Sequence, residues 1–247
     1  MKAVKQRLDK EVLKRGLAET RQKAQGLILA GMVSVDGERV DKAGAQVGDA
    51  AVITVSGKDN PYVSRGGLKL KGALDGFGVN PSGFVCADIG ASTGGFTDCL
   101  LKEGAAKVYA VDVGHGLIDA SLKSDPRVVT IERVNVRSMG PEVIGELVEM
   151  ATVDVAFISL RLVLGSIAGV LKPGGAILAL VKPQFEVGRD KVGRGGIVKD
   201  EAERKRAVEE VAAFAKSIGL GVLGEMESPI KGAKGNVEFF LYLRKPV

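Results

Sequence analysis

The chain has 247 residues, of which 45% are hydrophobic and 26% are charged, and its formal net charge is +5. This length fits one large domain with a small one, and the composition is that of a globular protein rather than a disordered or fibrous one. We expect a protein of the reducing cytoplasm without membrane insertion, because the sequence has no bilayer-length apolar stretch, no signal peptide and no disulfide framework.

The excess positive charge lies at the start of the chain. Residues 1–70 contain 13 basic and 8 acidic residues, whereas the rest of the chain has equal numbers of each. This distribution favours either a polyanion-binding module or a small domain with a solvated, lysine-rich face, and charge alone does not distinguish them.

Residues 1–57 are predicted to form two short helices followed by a small sheet. Apolar residues recur at helical spacing up to Gly16, and Thr20 can cap a second helix. The short strands 33–35 and 51–55 follow, and the first of them leads into a hairpin turn.

Four short runs in this segment match a known pattern: Arg7-Leu8-Asp9, Arg15-Gly16-Leu17, Thr20-Arg21 and residues 31–37. They resemble the S4 RNA-binding domain, and the resemblance implies that the basic side of the helices contacts RNA. Phosphate contacts dominate the affinity of such surfaces, and structured RNA is recognised largely by its backbone and shape. The residues implied in RNA binding are Arg7, Arg15, Arg21 and Lys23.

Residues 58–63 are polar and turn-forming, and they are predicted to link the first domain to a second one, 64–247. Predicted strands and helices alternate in the second domain, which is typical of an α/β fold with a mostly parallel sheet. Strands are predicted at 84–87, 108–111, 128–131, 153–160, 176–181, 221–226 and 237–243, and helices at 97–103, 117–122, 141–150 and 200–217, among others.

The last two predicted strands are joined without a crossover helix, so the final strand must be antiparallel. The fold class expected is therefore a Rossmann-like methyltransferase with a mostly parallel seven-stranded sheet ending in an antiparallel strand, preceded by a small α+β domain. A loop at 188–196, rich in glycine and basic residues, is predicted to be a mobile lid.

A glycine-rich run at 88–96 separates two predicted strands, and the second strand ends at Asp112. Glycines let the backbone approach a ligand closely, and the second acid can hold ribose hydroxyls, as in nucleotide-type cofactor sites. The run lacks the spacing that seats a pyrophosphate, and Asp88 would repel a diphosphate but suits a cofactor with an ammonium group. The pattern favours S-adenosylmethionine over a nicotinamide cofactor, with a plain structural loop as the alternative. The candidate cofactor-binding residues are Asp88, Gly90, Ala91, Ser92, Thr93, Gly94, Gly95, Phe96, Asp112, Val113 and Asn135, and no metal site is expected.

The remaining polar residues indicate which kind of atom accepts the methyl group. Neither Cys86 nor Cys99 stands where a base-carbon methyltransferase needs its nucleophile, and Asp154 is not followed by the Pro-Pro-aromatic run of exocyclic-nitrogen enzymes. Lys69 precedes the sheet, Asp154 and Lys182 stand at strand ends, and Glu238 lies in the last predicted strand. This set suits a hydroxyl acceptor.

Several runs in the second domain match a further pattern: residues 64–70, 88–96, 157–160, 181–185 and 235–238, together with Asp154. They resemble the FtsJ-like ribose methyltransferases, and joined to an S4 domain they resemble the TlyA family of ribosomal-RNA 2′-O-methyltransferases, historically labelled haemolysins. The resemblance implies a catalytic tetrad of Lys69, Asp154, Lys182 and Glu238, RNA contact by Arg65, and cytidine 2′-hydroxyls of ribosomal RNA as the target. We expect Lys182 to accept or steer the hydroxyl proton, and Asp154 to serve in positioning and charge balance. Lys69 and Glu238 are expected to orient the ribose.

Three other functions stay open at this point: an RNA-binding assembly factor with an inactive methyltransferase fold, a membrane-active haemolysin and, more distantly, an oxidoreductase. The large ribosomal subunit is favoured as the target and the small one stays open, because the chain stops three residues after Arg244, as the shorter forms of the resembling family do, but has residues ahead of Arg7, as the longer forms do. The oligomeric state is not predicted.

Overall fold

The computed structural model describes residues 5–55, 60–232 and 234–247, and the chain divides into two compact units, Met1–Pro61 and Tyr62–Val247. The division falls within the predicted linker, of which residues 58 and 59 lie outside the described residues. Residues 1–4, 56 and 57 of the predicted first domain also lie outside them, as does Ala233 in the loop before the last strand.

Over its described residues, 5–55 and 60–61, the small unit contains two helices and five short strands: β1 (Lys5–Arg7), α1 (Leu8–Lys14), α2 (Arg21–Leu29), β2 (Val33–Val35), β3 (Glu38–Arg39), β4 (Gln46–Gly48) and β5 (Ile53–Val55). Thr20 caps α2 as predicted, since its Oγ1 accepts a hydrogen bond from the Lys23 backbone N–H at 3.1 Å. Strand β2 pairs antiparallel with β3 and β5, and β1 pairs with β4. The sequence did not indicate β1 and β4, because Lys-Gln-Arg has no apolar residue and Gln-Val-Gly has one, so neither alternates.

The large unit is an α/β sandwich whose elements follow in the order α3 (Gly66–Phe77), β6 (Val85–Ile89), α4 (Gly95–Lys102), β7 (Lys107–Val111), α5 (Ala120–Lys123), β8 (Val128–Ile131), α6 (Pro141–Ile144), β9 (Val148–Val153), α7 (Leu164–Gly169), β10 (Leu171–Val181), α8 (Pro183–Glu186), α9 (Glu201–Ser217), β11 (Gly221–Glu227) and β12 (Phe239–Arg244). The seven strands lie in the order β11-β12-β10-β9-β6-β7-β8. Strand β12 is antiparallel to both β10 and β11, whereas β10, β9, β6, β7 and β8 are parallel. The predicted fold class is confirmed.

The region between β8 and β10 differs from the prediction. Helix α6 stops at Gly145, whose φ of +84° turns the chain, so the predicted helix 141–150 is wrong beyond that residue. The predicted strand 153–160 is also wrong, because β9 spans Val148–Val153. Strand β9 is paired on both sides, and a fully buried strand shows no alternation that distinguishes it from a buried helix.

Two smaller boundaries also shift. Strand β10 begins at Leu171 rather than at the predicted residue 176, and its pairing with β9 is irregular between Leu171 and Ala176. The predicted helix 117–122 begins only at Ala120, after Asp119 caps its first turn by accepting from the Ser121 backbone N–H at 2.9 Å.

Candidate active site

Four parallel strands end at one edge of the sheet, each directly before a residue that the sequence singles out. The residues that follow β6, β7, β9 and β10 are, in this order, Gly90, Asp112, Asp154 and Lys182. The carboxyl ends of the strands are where open α/β sheets bind their ligands.

A cavity of about 520 Å³ opens at this edge. Its lining includes five of the predicted cofactor-binding residues: Gly90, Ser92, Asp112, Val113 and Asn135. Asp154 and residues 155–158 also line it. The volume falls in the range of small-molecule sites in proteins.

Gly90 and Asp112 set the shape of the loop beside this cavity. Gly90 has a φ of +85°, and a Cβ there would lie 2.6 Å from the Asp154 carbonyl oxygen, so a larger residue would both strain and clash. The Asp112 carboxylate accepts hydrogen bonds from the backbone N–H groups of Ser92 at 2.8 Å and Gly114 at 2.7 Å. Each carboxylate oxygen can accept further bonds, so Asp112 still has capacity for ligand hydroxyls.

The other predicted cofactor-binding residues are outside the cavity lining: Asp88, Ala91, Thr93, Gly94, Gly95 and Phe96. Asp88 is fully buried, and its carboxylate accepts hydrogen bonds from Thr97 Oγ1 at 2.7 Å and Thr152 Oγ1 at 3.1 Å. Burial raises the pKa of Asp88 to about 7. Phe96 packs on Phe240, with ring centroids 6.1 Å apart. Both side chains therefore support the loop from inside the protein.

The predicted tetrad forms two ion pairs. Lys69 Nζ on α3 lies 2.6 Å from Glu238 Oε2, with side chains 12% and 4% exposed. Lys182 Nζ lies 2.5 Å from Asp154 Oδ1, at an angle outside hydrogen-bond geometry, with side chains 12% and 22% exposed. Glu238 directly precedes β12 rather than lying in it, which corrects the predicted strand start.

A second cavity, of about 390 Å³, is lined by three members of the tetrad: Lys69, Lys182 and Glu238. Ala156 and Phe157 line both cavities, so the two adjoin at these residues. The Lys182–Asp154 pair spans the junction, because Lys182 lines the second cavity and Asp154 the first.

Phe157 is the most unusual residue of this junction. It is 90% exposed and has a φ of +64°, a left-handed conformation that large residues rarely adopt. Its ring lies 5.1 Å from that of Phe185, centroid to centroid. Both rings line the second cavity, and the exposure of Phe157 excludes a core position for it.

Sequence reasoning missed the role of Asn236, which is 3% exposed and lies two residues before Glu238. Its Oδ1 accepts from the Val198 backbone N–H at 3.0 Å, and its Nδ2 donates to the Gly196 carbonyl at 2.8 Å. Asn236 therefore ties the end of the predicted lid loop to the segment that carries Glu238. Opening of this loop stays a prediction.

In the small unit, buried carboxylates hold three of the predicted RNA-binding residues. Arg7 Nε and Arg21 Nε each donate to Asp9 at 3.0 Å, and Arg15 Nε donates to Glu11 at 3.0 Å. Asp9 is fully buried and Glu11 is 1% exposed.

Two further predicted RNA-binding residues lie in different settings. The Lys23 side chain is 62% exposed, and its Nζ lies 3.6 Å from Glu19 Oε2. Arg65 is the half-buried N-cap residue of α3, four positions before Lys69.

Over residues 5–55, 60–232 and 234–247 the structure shows no group of ligating side chains that could hold a metal ion. Within the same ranges, no helix has the length and hydropathy needed to span a membrane.

Comparison with known families matches both units. The model of the FtsJ-like methyltransferase family matches residues 62–245, and that of the S4 domain matches residues 6–53.

Individual relatives match almost the whole chain. The 16S/23S rRNA (cytidine-2′-O)-methyltransferase TlyA of Mycobacterium tuberculosis is 47% identical, over 96% of this chain and 89% of that protein. Hemolysin A of Brachyspira hyodysenteriae is 41% identical, over 96% of this chain and 98% of its own length. A solved structure of a candidate hemolysin from Streptococcus thermophilus is 44% identical, covers 98% of this chain and 89% of that one, and superposes with a TM-score of 0.77.

Proposed function

The chain belongs to the TlyA family of FtsJ-like methyltransferases that carry an S4 domain, and on this basis we propose that it methylates the 2′-hydroxyl of a cytidine in ribosomal RNA. The methyl donor in this proposal is S-adenosylmethionine, and the substrate is a ribosomal subunit in the cytoplasm. The observation that carries the proposal is the Lys182–Asp154 ion pair at the junction of two cavities.

The cavity of about 520 Å³ is assigned to the cofactor. Its donor and acceptor set fits an adenosyl group, because Asp112 can accept from ribose hydroxyls and the Asn135 amide can both donate and accept. Val113, which is 73% exposed, and Leu117 offer apolar surface to a planar base. Gly90 is required beside this cavity, since a Cβ there would collide with the Asp154 backbone. When bound, S-adenosylmethionine supplies an electrophilic methyl group.

The cavity of about 390 Å³ is assigned to the acceptor ribose. Lys69 and Glu238 hold each other at 2.6 Å and so present one donor and one acceptor in fixed positions to sugar hydroxyls. Fixing the hydroxyl relative to the methyl group contributes to catalysis, because orientation alone lowers a barrier by several kcal/mol.

The Lys182–Asp154 pair handles the proton. A hydroxyl that gains a methyl group must lose its proton, and Lys182 Nζ is the group assigned to receive it. Asp154 Oδ1, 2.5 Å from Nζ, balances the charge of the ammonium that forms when Nζ receives the proton, and the ammonium later releases that proton to solvent.

The small unit is assigned to RNA binding. Its candidate contacts are the guanidinium groups of Arg7, Arg15 and Arg21, together with exposed Lys23. Arginine forks suit phosphate oxygens, and this binding should weaken as salt is raised.

The test measures methyl transfer from S-adenosylmethionine to isolated small and large ribosomal subunits, with the modified ribose mapped. Lys182→Ala should lower the rate at least about 100-fold, as expected for loss of a group that moves a proton. S-adenosylmethionine should still raise the melting temperature of the variant, because Lys182 is absent from the lining of the cofactor cavity.

Lys205→Ala is the matched control, since this α9 lysine is 75% exposed and is absent from the lining of both cavities. Full turnover by Lys182→Ala would contradict the assigned role. Binding of subunits by the wild-type protein without any transfer would instead identify an assembly factor.

A further inference from the structure

Glu186 is a buried carboxylate that the proposed reaction does not use. It is the last residue of α8, four positions after Lys182, and its side chain is 1% exposed. The nearest cation is Arg161, whose Nε lies 3.7 Å from Glu186 Oε2 and whose side chain is 37% exposed. Burial raises the pKa of Glu186, so the ionised form is held in the protein at an energetic cost.

The contacts of Glu186 join two segments that follow neighbouring strands. Ser159 Oγ donates to Glu186 Oε2 at 2.6 Å, and the Leu160 backbone N–H donates to Oε1 at 2.8 Å. Ser159 and Leu160 end the segment that begins with Asp154 after β9, whereas Glu186 ends the segment that begins with Lys182 after β10. One side chain thus closes a bridge between the two.

The bridged segments carry the parts of the site that need a fixed geometry. Residues 155–158 line the cofactor cavity, and Ala156, Phe157 and Phe185 line the acceptor cavity. Phe157 has a φ of +64°, which costs free energy and persists only where the flanking contacts impose it. The Glu186 contacts begin two residues after Phe157.

We propose that Glu186 is a positioning residue, which holds Asp154 and Lys182 in register by bridging the segments that follow them. The inference rests on the proposed function of the Lys182–Asp154 pair. Glu186 touches neither cavity in the described lining and acts through the two segments it joins.

Glu149 offers a matched control at the opposite edge of the same sheet. Its carboxylate also accepts one backbone N–H, from Val85 at 2.8 Å, and one side-chain donor, from Lys172. It therefore makes the same kind of bridge, but beside a separate cavity of about 310 Å³ away from the tetrad.

The experiment compares Glu186→Gln, Ser159→Ala, their double variant and Glu149→Gln in the full chain, with ribosomal subunits as substrate. Glu186→Gln keeps the shape but leaves one acceptor for two donors, and we expect kcat to fall roughly 10- to 100-fold, the loss that a displacement of about 1 Å can cause. KM values for both substrates should stay within about threefold, and Glu149→Gln should keep wild-type kcat even if both variants melt at lower temperature. The double variant should lose less than the product of the two single losses, because both changes break the Ser159–Glu186 bond, although Ser159 Oγ also accepts from the Arg161 backbone N–H at 3.2 Å.

An unchanged kcat in Glu186→Gln, or a loss matched by Glu149→Gln, would overturn the positioning role. If Glu186→Gln fails to fold, Ser159→Ala provides the test, since it deletes one hydroxyl from a half-buried position. A lowered kcat with unchanged KM in Ser159→Ala then supports the positioning role, and a wild-type kcat rejects it. The Lys182→Ala variant separates this outcome from failure of the proposed function. An inactive Lys182→Ala beside a fully active Glu186→Gln rejects the positioning role alone, whereas an active Lys182→Ala rejects the function on which it rests.

Discussion

Asp9 and Glu11 in the small unit are buried against cationic side chains, whereas Asp88 and Glu186 in the large unit are buried against hydroxyl and backbone donors. The hydrogen bond from Arg7 is the main cause that lowers the pKa of Asp9, and bonds from Arg15 and Lys14 outweigh burial to lower that of Glu11. In the large unit burial dominates and raises the pKa of both acids.

This contrast shows that the buried carboxylates have different structural roles in the two units. In the small unit the carboxylates fix guanidinium groups near the surface, where they can meet a polyanion. In the large unit Asp88 and Glu186 fix loops at the ligand edge of the sheet through hydroxyl and backbone donors. The contributions of these two pairs of buried acids to stability should consequently change with pH in opposite directions.

The largest expected effect is on the pH dependence of stability in the large unit. The pKa of Asp88 is raised from 3.8 to about 7, so its contribution to stability is complete below about pH 4 and is lost as the pH rises to about 7. Asp88→Asn removes this titration, and the difference in unfolding free energy between variant and wild type should change by as much as about 4 kcal/mol over that window. The change is measured by chemical denaturation of both proteins at pH 4.5 and pH 7.5, with hydrogen exchange in β6 as the readout. Parallel pH profiles for Asp88→Asn and the wild type would contradict the prediction.

A smaller effect is expected in the small unit, where Asp9→Asn should cost about 1.5–3 kcal/mol because bonds to charged groups are lost. The lowered pKa of Asp9 means that wild-type stability from this residue is present above about pH 4 and is lost as the pH falls further. At pH 7.5 the Asp9→Asn variant should therefore show faster hydrogen exchange than the wild type in α1 and α2, and the same exchange as the wild type in the large unit.

The Asp9→Asn variant also distinguishes two effects of this carboxylate on RNA binding, its negative charge and its anchoring of arginine side chains. A gain of one positive charge alone should tighten RNA binding, whereas loss of the anchor for Arg7 and Arg21 should weaken it. We expect weaker binding, measured by filter retention of ribosomal RNA. Exposed Asp41→Asn adds the same charge without removing an anchor, and equal behaviour of the two variants would show that charge alone governs affinity.

The smallest effect is expected at Lys23, which is 62% exposed. Lys23→Ala should change stability by less than about 0.5 kcal/mol. If Lys23 contacts a phosphate, the slope of log affinity against log salt should fall by about one. An unchanged slope would remove Lys23 from the interface.

The sequence predicted those parts of the site that follow from strand ends. Asp112 and Lys182 each directly follow a predicted parallel strand, and such ends meet at one edge whatever the loops do. Asp154 follows β9, but the predicted strand 153–160 placed it near the strand start, so its catalytic place was implied by the family resemblance. The fold class followed for a similar reason, since the short connection before β12 requires an antiparallel strand.

The parts that depend on tertiary packing could not be predicted. Strand β9 lies between two neighbours, and its polar residues Glu149 and Thr152 are three positions apart, so its sequence shows no alternation with a period of two. The partners of Glu186 lie 26 and 27 residues away, and nothing in local spacing points to them. Arg21 and Asp9 are likewise brought together across two helices, so the sequence showed the charges but not that they are paired.

Strand β12 has a consequence for the order in which the enzyme is made. It is the last strand of the sheet to leave the ribosome, yet it lies between β10 and β11, and it brings Glu238 to Lys69 from 169 residues away. Until translation has passed Arg244 the sheet has a gap, and the tetrad lacks one member. We therefore expect a nascent chain in which β12 has not yet paired with β10 to be inactive.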